Sequence, residues 1–269
     1  MDIVDRIIYL EHGEIAGIYN PEEFYQLTPT QRKNMGLRAI NLNDEQPLSH
    51  DNLASKPILK LNDISLYYKK RTILEHINLD ARSGEVIAIV GHNGAGKTTT
   101  IKSIVGILKF DEGEILVDGM SVKENPIECK KKIAYIPDNP DLYEFMTGIS
   151  YLNFIADIYN VSSQDRTERI KKYGDLLELT DDLAQPISAY SHGMKQKLAI
   201  ISAWIHNPKL IIMDEPFVGL DPKSSHILKE MMRDVCDKGG AIFFSTHVLE
   251  VAEKLCDKIA IIKNGTCCS

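Results

Sequence analysis

The strongest constraint on this chain is the glycine-rich string Gly91-His-Asn-Gly-Ala-Gly-Lys97-Thr98, which follows the short apolar run Glu85–Val90. Glycines lack a Cβ atom, so a backbone rich in them can wrap tightly and aim several N–H groups at one small volume. A helix predicted to begin near Lys97 adds its positive dipole end, Lys97 adds a charge for the β- and γ-phosphates, and the Thr98 hydroxyl can ligate Mg²⁺. The string therefore predicts a site for ATP and Mg²⁺. The residues expected to contact the nucleotide here are Gly91, His92, Asn93, Gly94, Ala95, Gly96, Lys97, Thr98 and Thr99.

Strand-like and helix-like segments alternate on both sides of this string. The predicted strands are Ile58–Tyr68, Ile73–Leu79, Glu85–Val90, Ile133–Ile136, Leu210–Met213 and Ala241–Phe244. The predicted helices run from Lys97 to about Leu108 and over about 148–159, 163–178, 191–206, 222–238 and 247–256. Short, continuously apolar strands separated by helices are typical of an α/β fold with a parallel sheet. Residues 138–207 contain helical segments and no convincing strand, so we predict a helical insert there.

Composition narrows the classes of function. The 269 residues contain no apolar run near the ~18 residues that a membrane span needs, and the N-terminus does not resemble a signal peptide. We therefore expect a cytoplasmic chain, with any membrane role exercised through a partner. The net charge of −7 disfavours nucleic acid as a partner, because that affinity depends on Lys and Arg. The five cysteines lack metal-binding spacing and are expected to be free thiols.

A second candidate group lies at the end of the predicted strand Leu210–Met213, where Asp214 and Glu215 follow directly. Asp214 at the strand tip can hold the Mg²⁺ shell, as the corresponding acid does in P-loop hydrolases. Glu215 could polarise a water for in-line attack on the γ-phosphate. Two acids on a loop are usually only solvated surface, but two acids at the end of a buried strand, in a chain with this loop, favour the functional interpretation.

In this order, the elements resemble the nucleotide-binding domain of ATP-binding cassette (ABC) transporters over about residues 56–265. The most specific string is Tyr-Ser-His-Gly-Met-Lys-Gln-Lys at 190–197, in the place of the family signature Leu-Ser-Gly-Gly-Gln. The resemblance implies that Ser191 and Gly193, at a helix N-terminus, grip the γ-phosphate held by a second cassette. Two cassettes would then enclose two ATP molecules head to tail. It also implies a RecA-like mixed sheet core, a small antiparallel β-subdomain and an α-helical subdomain at about 138–207.

Further positions match the family one at a time. Tyr68 corresponds to the aromatic residue that stacks on adenine, with Tyr67 as the neighbouring candidate, and alternation along the strand favours Tyr68. The run Gly219–Pro222 corresponds to the D-loop that lines the dimer seam. His247, after the strand Ala241–Phe244, corresponds to the switch histidine that contacts the γ-phosphate.

Two residues depart from the family pattern. Asp138 stands where the Q-loop has glutamine, and His192 replaces a signature glycine. A carboxylate roughly 5 Å from a phosphate charge costs about 3 kcal/mol at an effective dielectric of ~20. We therefore expect the Asp138 carboxylate to interact with Mg²⁺ or its waters, or to point towards a membrane partner. Together these features resemble cassettes of bacterial exporters of drugs, antibiotic peptides or lipids, including the Ecs type.

The first 55 residues differ in character from the rest. Asp5–Gly13 echoes Asp257–Gly265, and residues 1–40 resemble the tail of a preceding cassette in tandem-cassette uptake proteins. Residues 41–55 are polar and aperiodic, so we predict a linker there and an ABC ATP-binding domain over 56–269.

The resemblance implies an ATPase that energises transport through an integral membrane permease, at the inner face of the cell membrane. Its expected partners are a second cassette and the permease, without nucleic acid. The catalytic candidates are Glu215, His247 and Lys97, and the metal candidates are Thr98, Asp214 and Asp138. Two alternatives stay open at this point: a soluble ABC ATPase unrelated to transport, and a catalytically impaired regulatory cassette.

Overall fold

The computed structural model describes residues 56–69 and 71–268, together with the backbone of 7–11 and 14–19. The chain divides into two units, one built mainly of residues 1–45 and the other of nearly all the rest. The predicted linker 41–55 and most of the segment 1–40 lie outside the described residues.

In the larger unit, the central sheet has six strands in the order β12-β11-β5-β10-β9-β8. Its strands are β5 (Val86–Val90), β8 (Ile133–Ile136), β9 (Leu210–Asp214), β10 (Ala241–Thr246), β11 (Lys258–Lys263) and β12 (Thr266–Cys268). All neighbours are parallel except the edge strand β12, which is antiparallel to β11. The predicted strands of this core are confirmed.

Continuous apolar runs form the middle of this sheet because it is covered on both faces. All residues of β5, β9 and β10 are buried. Alternate side chains of β5 pack into two different clusters: Val86 and Ala88 on one face, Ile87 and Ile89 on the other. Since parallel strands share a direction, their carboxyl ends meet at one edge, where ligands bind in open α/β sheets.

A second, antiparallel sheet has the order β4-β3-β6-β7. Its strands are β3 (Pro57–Tyr68), β4 (Arg71–Arg82), β6 (Glu112–Val117) and β7 (Met120–Ser121). β3 and β4 confirm the two predicted strands and extend them. β6, β7 and the helix Pro126–Lys132 (α2) that follows them were not predicted, because these elements are short and largely exposed and give little periodic signal.

The helices in the described part of the larger unit complete the layers. They are α1 (Lys97–Ile104), α2 (Pro126–Lys132), α3 (Gly148–Ile158), α4 (Ser163–Leu176), α5 (His192–Trp204), α6 (Pro222–Asp237) and α7 (Leu249–Leu255). Three of them, α3 to α5, lie between β8 and β9, the region predicted as a helical insert. None of the helices described is both long and apolar enough to span a bilayer.

Helix α1 is shorter than predicted. It ends at Ile104, not near Leu108. Gly106 adopts a left-handed backbone (φ 72°), and the N–H of Ile107 donates to the carbonyl of Lys102 at 2.9 Å. This is the Schellman type of helix end, which glycine favours because it has no Cβ atom.

In the smaller unit, β1 (Ile7–Glu11) and β2 (Glu14–Tyr19) form an antiparallel hairpin. The last residue pair before the turn is Glu11 with Glu14 in this hairpin and Lys263 with Thr266 in the β11–β12 hairpin. When Asp5–Gly13 is aligned with Asp257–Gly265, these two pairs fall at the same position. The origin of residues 1–40 as the tail of another cassette stays a prediction.

Candidate functional site

The glycine string forms the turn between β5 and α1, and two of its glycines are required by close approach. A Cβ atom at Gly91 would lie 2.4 Å from the carbonyl oxygen of Ile262. A Cβ atom at Gly96 would lie 2.9 Å from Leu74, and its backbone is left-handed with φ 114°. Gly94 is also left-handed, at φ 83°, but is surrounded by open space. The turn therefore packs closely against Leu74 and Ile262 at Gly91 and Gly96, and it is open to solvent at Gly94.

Lys97 is the first residue of α1, and its side chain is only 7% exposed. Its Nζ donates to the carbonyl oxygen of Gly91 at 2.8 Å and lies 3.8 Å from Oε1 of Glu215. The ammonium group is thus held between the glycine turn and the acid at the end of β9. The exposed residues His92, Asn93 and Thr98 and the half-buried Thr99 surround it, and Ala95 is buried beneath.

Asp214 ends β9 with its carboxylate buried between two hydroxyl groups. It accepts a hydrogen bond from Thr98 at 2.7 Å on Oδ2, and its Oδ1 accepts a short one from Ser245. Because the Thr98 proton is directed at Asp214, the lone pairs of the Thr98 oxygen are free for a cation.

The donor set around Thr98 suits Mg²⁺, which prefers oxygen ligands and keeps several waters. In the part of the chain described, no cluster of three or more His, Cys, Asp or Glu could hold a metal. A Mg²⁺ ion here would therefore be completed by phosphate and water oxygens, and Thr98 and Asp214 are the residues that fit it.

Glu215 follows Asp214 in a backbone conformation uncommon for a residue with a side chain (φ 49°). Its N–H donates to Oγ of Ser245 at 3.0 Å. Its carboxylate is 14% exposed, and Oε1 lies 3.0 Å from Nδ1 of His247. Strained backbone that the surroundings hold in place is common at active sites. The arrangement aims the Glu215 carboxylate at Lys97 and His247 together.

Other predicted site residues lie apart from this group. Tyr68 is 61% exposed at the end of β3, and Nζ of Lys69 lies 5.5 Å from its ring centroid. Asp138 follows β8, is exposed, and forms no hydrogen bond or ion pair with any residue the structure describes. Its role as a metal ligand stays a prediction.

The signature residues occupy the N-terminus of α5. Ser191 is its N-cap, and its Oγ accepts from the N–H of Met194 at 3.3 Å. A Cβ at Gly193 would lie 3.2 Å from the carbonyl oxygen of Gly219, so this helix start packs closely on the predicted D-loop. Among the described residues, no hydrogen bond or ion pair joins Ser191 or Gly193 to the glycine string.

Ser245 was not among the predicted site residues, although it is hydrogen-bonded to both acids of the site. In the sheet, Ser245 of β10 is the register partner of Asp214 in β9. It is fully buried, and it bonds to the Asp214 carboxylate and the Glu215 N–H. Its position directly before Thr246 and His247 was the available signal.

Comparison with known proteins gives consistent results. Residues 74–218 match the family model described as "ABC transporter". The ABC transporter ATP-binding protein YhcH of Bacillus subtilis is 35% identical over 211 residues, which is 78% of this chain and 68% of that protein. The ABC-type transporter ATP-binding protein EcsA of the same organism is 33% identical over 208 residues, 77% of this chain and 84% of that protein.

Solved structures show the same similarity. A structure described as the ATP-binding subunit of an ABC transporter superposes with a TM-score of 0.77 and 37% identity, covering 79% of this chain and 88% of that one. CbiO1 of Clostridium perfringens, described as part of the ABC transporter complex cbiONQ, gives a TM-score of 0.68 and 25% identity, with 79% and 87% covered. Since the family model spans more than half of the residues, the chain belongs to the ABC transporter family as an ATP-binding cassette.

Proposed function

We propose that this cassette binds ATP with Mg²⁺ at the glycine string and hydrolyses it when two cassettes close on each other. One observation carries the proposal. The Glu215 carboxylate, 14% exposed, lies beside Lys97 and His247, and Glu215 directly follows Asp214, which is bonded to Thr98. A nucleophile-activating acid, a phosphate-binding cation and a metal-binding pair therefore lie at one edge of the sheet.

Each side chain has a distinct role in this proposal. Lys97 binds the β- and γ-phosphates, and the loop N–H groups bind the remaining phosphate oxygens. Glu215 orients the attacking water and takes its proton, since a carboxylate is an effective general base when it is correctly placed. The side chain of His247 is 53% exposed, with Nδ1 3.0 Å from Oε1 of Glu215, and it is accessible to the γ-phosphate. Bound Mg²⁺ would neutralise charge on the phosphates.

The signature residues complete the site from a second chain. Ser191 and Gly193 begin α5, where free N–H groups and the helix dipole favour an anion. They are not bonded to this chain's own glycine string in the described residues, as expected if they serve the ATP of the partner cassette. Head-to-tail pairing would satisfy both sites at once, with Tyr68 stacking on adenine.

A membrane partner is supported by an aromatic patch in which Tyr143, Phe145 and Phe154 are exposed and Tyr151 is half-buried. Ring centroids lie 5.8 Å apart for Tyr143 and Phe145 and 5.7 Å for Tyr143 and Phe154. Phe145 is 86% exposed. Large exposed apolar groups that cluster usually mark an interaction site.

The patch borders a cleft of about 420 Å³ lined by residues from the Q-loop region and the start of α5: Asn139, Pro140, Asp141, Leu142, Glu144, His192 and Lys195. A protein docked there would touch both the segment after Asp138 and the signature helix. We propose that the occupant is a cytoplasmic segment of an integral membrane permease, which would hold the cassette at the inner face of the membrane. The description of CbiO1 as part of a transporter complex supports this occupant.

Replacement of Glu215 by Gln tests the proposed hydrolysis. It removes the base but keeps the size of the side chain, so steady-state phosphate release should fall about 10²- to 10⁴-fold while ATP still binds. A Lys97→Ala variant serves as the matched control and should lose ATP binding as well. Wild-type turnover by Glu215→Gln would contradict the assignment. Absent turnover in the wild-type dimer would favour the regulatory alternative.

A further inference from the structure

Tyr135 lies on the same face of the sheet as Asp214, one strand away. In the β8–β9 pair, Tyr135 is the register partner of Ile212. Side chains alternate along a strand, so Ile212 and Asp214 point to the same face, and Tyr135 shares it. Ile212 belongs to the apolar cluster that contains Ile101 of α1, and Tyr135 packs against that cluster. Tyr135 is thus a diagonal neighbour of Asp214 on the side of the helix that begins with Lys97.

The hydroxyl group of Tyr135 is buried and has no hydrogen-bond partner among the described residues. A buried hydroxyl without a partner costs free energy. Burial, and then the charges of Asp214 and Asp138, raise the pKa of Tyr135 to about 12. The hydroxyl therefore stays protonated near neutral pH. A ring alone would fill this space without that cost, so the hydroxyl needs a reason to be there.

We propose that the Tyr135 hydroxyl is a positioning group of the magnesium site, where it holds a water of the Mg²⁺ shell beside Asp214. This inference rests on the magnesium site of the proposed function. Mg²⁺ retains several waters in proteins, and such waters donate hydrogen bonds outward. The phenolic oxygen can accept one, because the hydroxyl has no hydrogen-bond partner among the described residues.

The test is the variant Tyr135→Phe, which keeps the ring and removes only the hydroxyl. ATP affinity is measured by calorimetry in excess Mg²⁺ and again in EDTA, in a Glu215→Gln background that prevents turnover. The ratio of the two affinities reports the contribution of the metal. We expect Tyr135→Phe to reduce this ratio about five- to tenfold, which is the effect of losing one hydrogen bond to a charged site. The affinity for ATP in EDTA should not change. The nucleotide-free variant should melt at the same temperature as its parent or higher.

Tyr190→Phe is the matched control, because the hydroxyl of Tyr190 has a protein partner, the carbonyl oxygen of Asp182 at 2.8 Å. Tyr190→Phe should melt at a lower temperature than its parent and keep the parent's ratio of ATP affinities in Mg²⁺ and in EDTA. The inference is overturned if Tyr135→Phe retains the full ratio, or if it behaves like the control and loses stability without nucleotide. If the parent itself shows no effect of Mg²⁺, the magnesium site of the proposed function fails together with the inference, and the parent measurement alone reveals it.

Discussion

His206 shows how burial fixes the protonation of a single residue in this cassette. Its ring stacks on Tyr159 with centroids 3.7 Å apart, and its Nε2–H donates to the carbonyl oxygen of Ile133 at 3.2 Å. Burial lowers the pKa of His206 to about 4. The folded chain therefore keeps this imidazole neutral where an unfolded chain, with a pKa near 6.5, would bind a proton.

The sign of the resulting pH dependence is fixed. The unfolded state binds more protons between pH 6.5 and 4, so the contribution of His206 is present above pH 6.5 and is lost as the pH falls. From pH 7 to 5 the loss amounts to about 2 kcal/mol. We expect the melting temperature of His206→Phe, which keeps the ring stack, to change less between pH 7 and pH 5 than that of the wild type. His76→Phe is the control. Because Asp63 raises the pKa of the exposed His76, this variant should still lose stability as the pH falls. An unchanged profile in His206→Phe would contradict the argument.

Among single residues, those in contiguous strings could be predicted and those joined by sheet register could not. The string that ends in Lys97 and Thr98 carries its own local geometry, so its pattern was sufficient. Ser245 and Tyr135 acquire their relation to Asp214 only when β10 and β8 pair with β9 in one register. A linear pattern does not contain that register, because it depends on packing across the whole sheet.

At the scale of elements, prediction succeeded where burial on both sides imposed a continuous apolar run, as in β9 and β10. It failed for β6, in which three of six residues are exposed, and for the seven-residue helix α2. Such elements are stabilised mainly by contacts with neighbouring elements, as β6 is by its hydrogen-bonded ladder with β3. Their own sequence therefore carries little information about their structure.

The aromatic patch, which is formed by the loop before α3 and by α3 itself, leads to a prediction of its own. Phe145→Asp should leave the melting temperature and ATP affinity almost unchanged, because the ring is 86% exposed. It should abolish the fraction of the chain that sediments with membranes of the cells that produce it. Ile127→Asp is the matched control, since Ile127 is 69% exposed on α2, outside the patch. Equal sedimentation of Phe145→Asp and wild type would exclude the patch as the docking surface.

At the scale of the whole molecule, the proposed function makes the site half of a functional unit. The glycine string, the acids of β9 and His247 lie at one edge of the sheet, whereas the signature serine caps α5 and is not bonded to them in the described residues. A triphosphate held by one chain therefore leaves its γ-phosphate open to a second chain. Dimerisation should depend on ATP, because the nucleotide supplies the contacts between the halves.

The most direct test is the molar mass of the Glu215→Gln variant by light scattering with saturating ATP and Mg²⁺, with and without Ser191→Glu. A carboxylate at the start of α5 would repel the γ-phosphate of the opposite chain. We predict a dimer for Glu215→Gln, and a monomer with unchanged ATP affinity for the double variant. A Glu215→Gln chain that stays monomeric, or a Ser191→Glu change that weakens ATP binding to the monomer, would contradict the account.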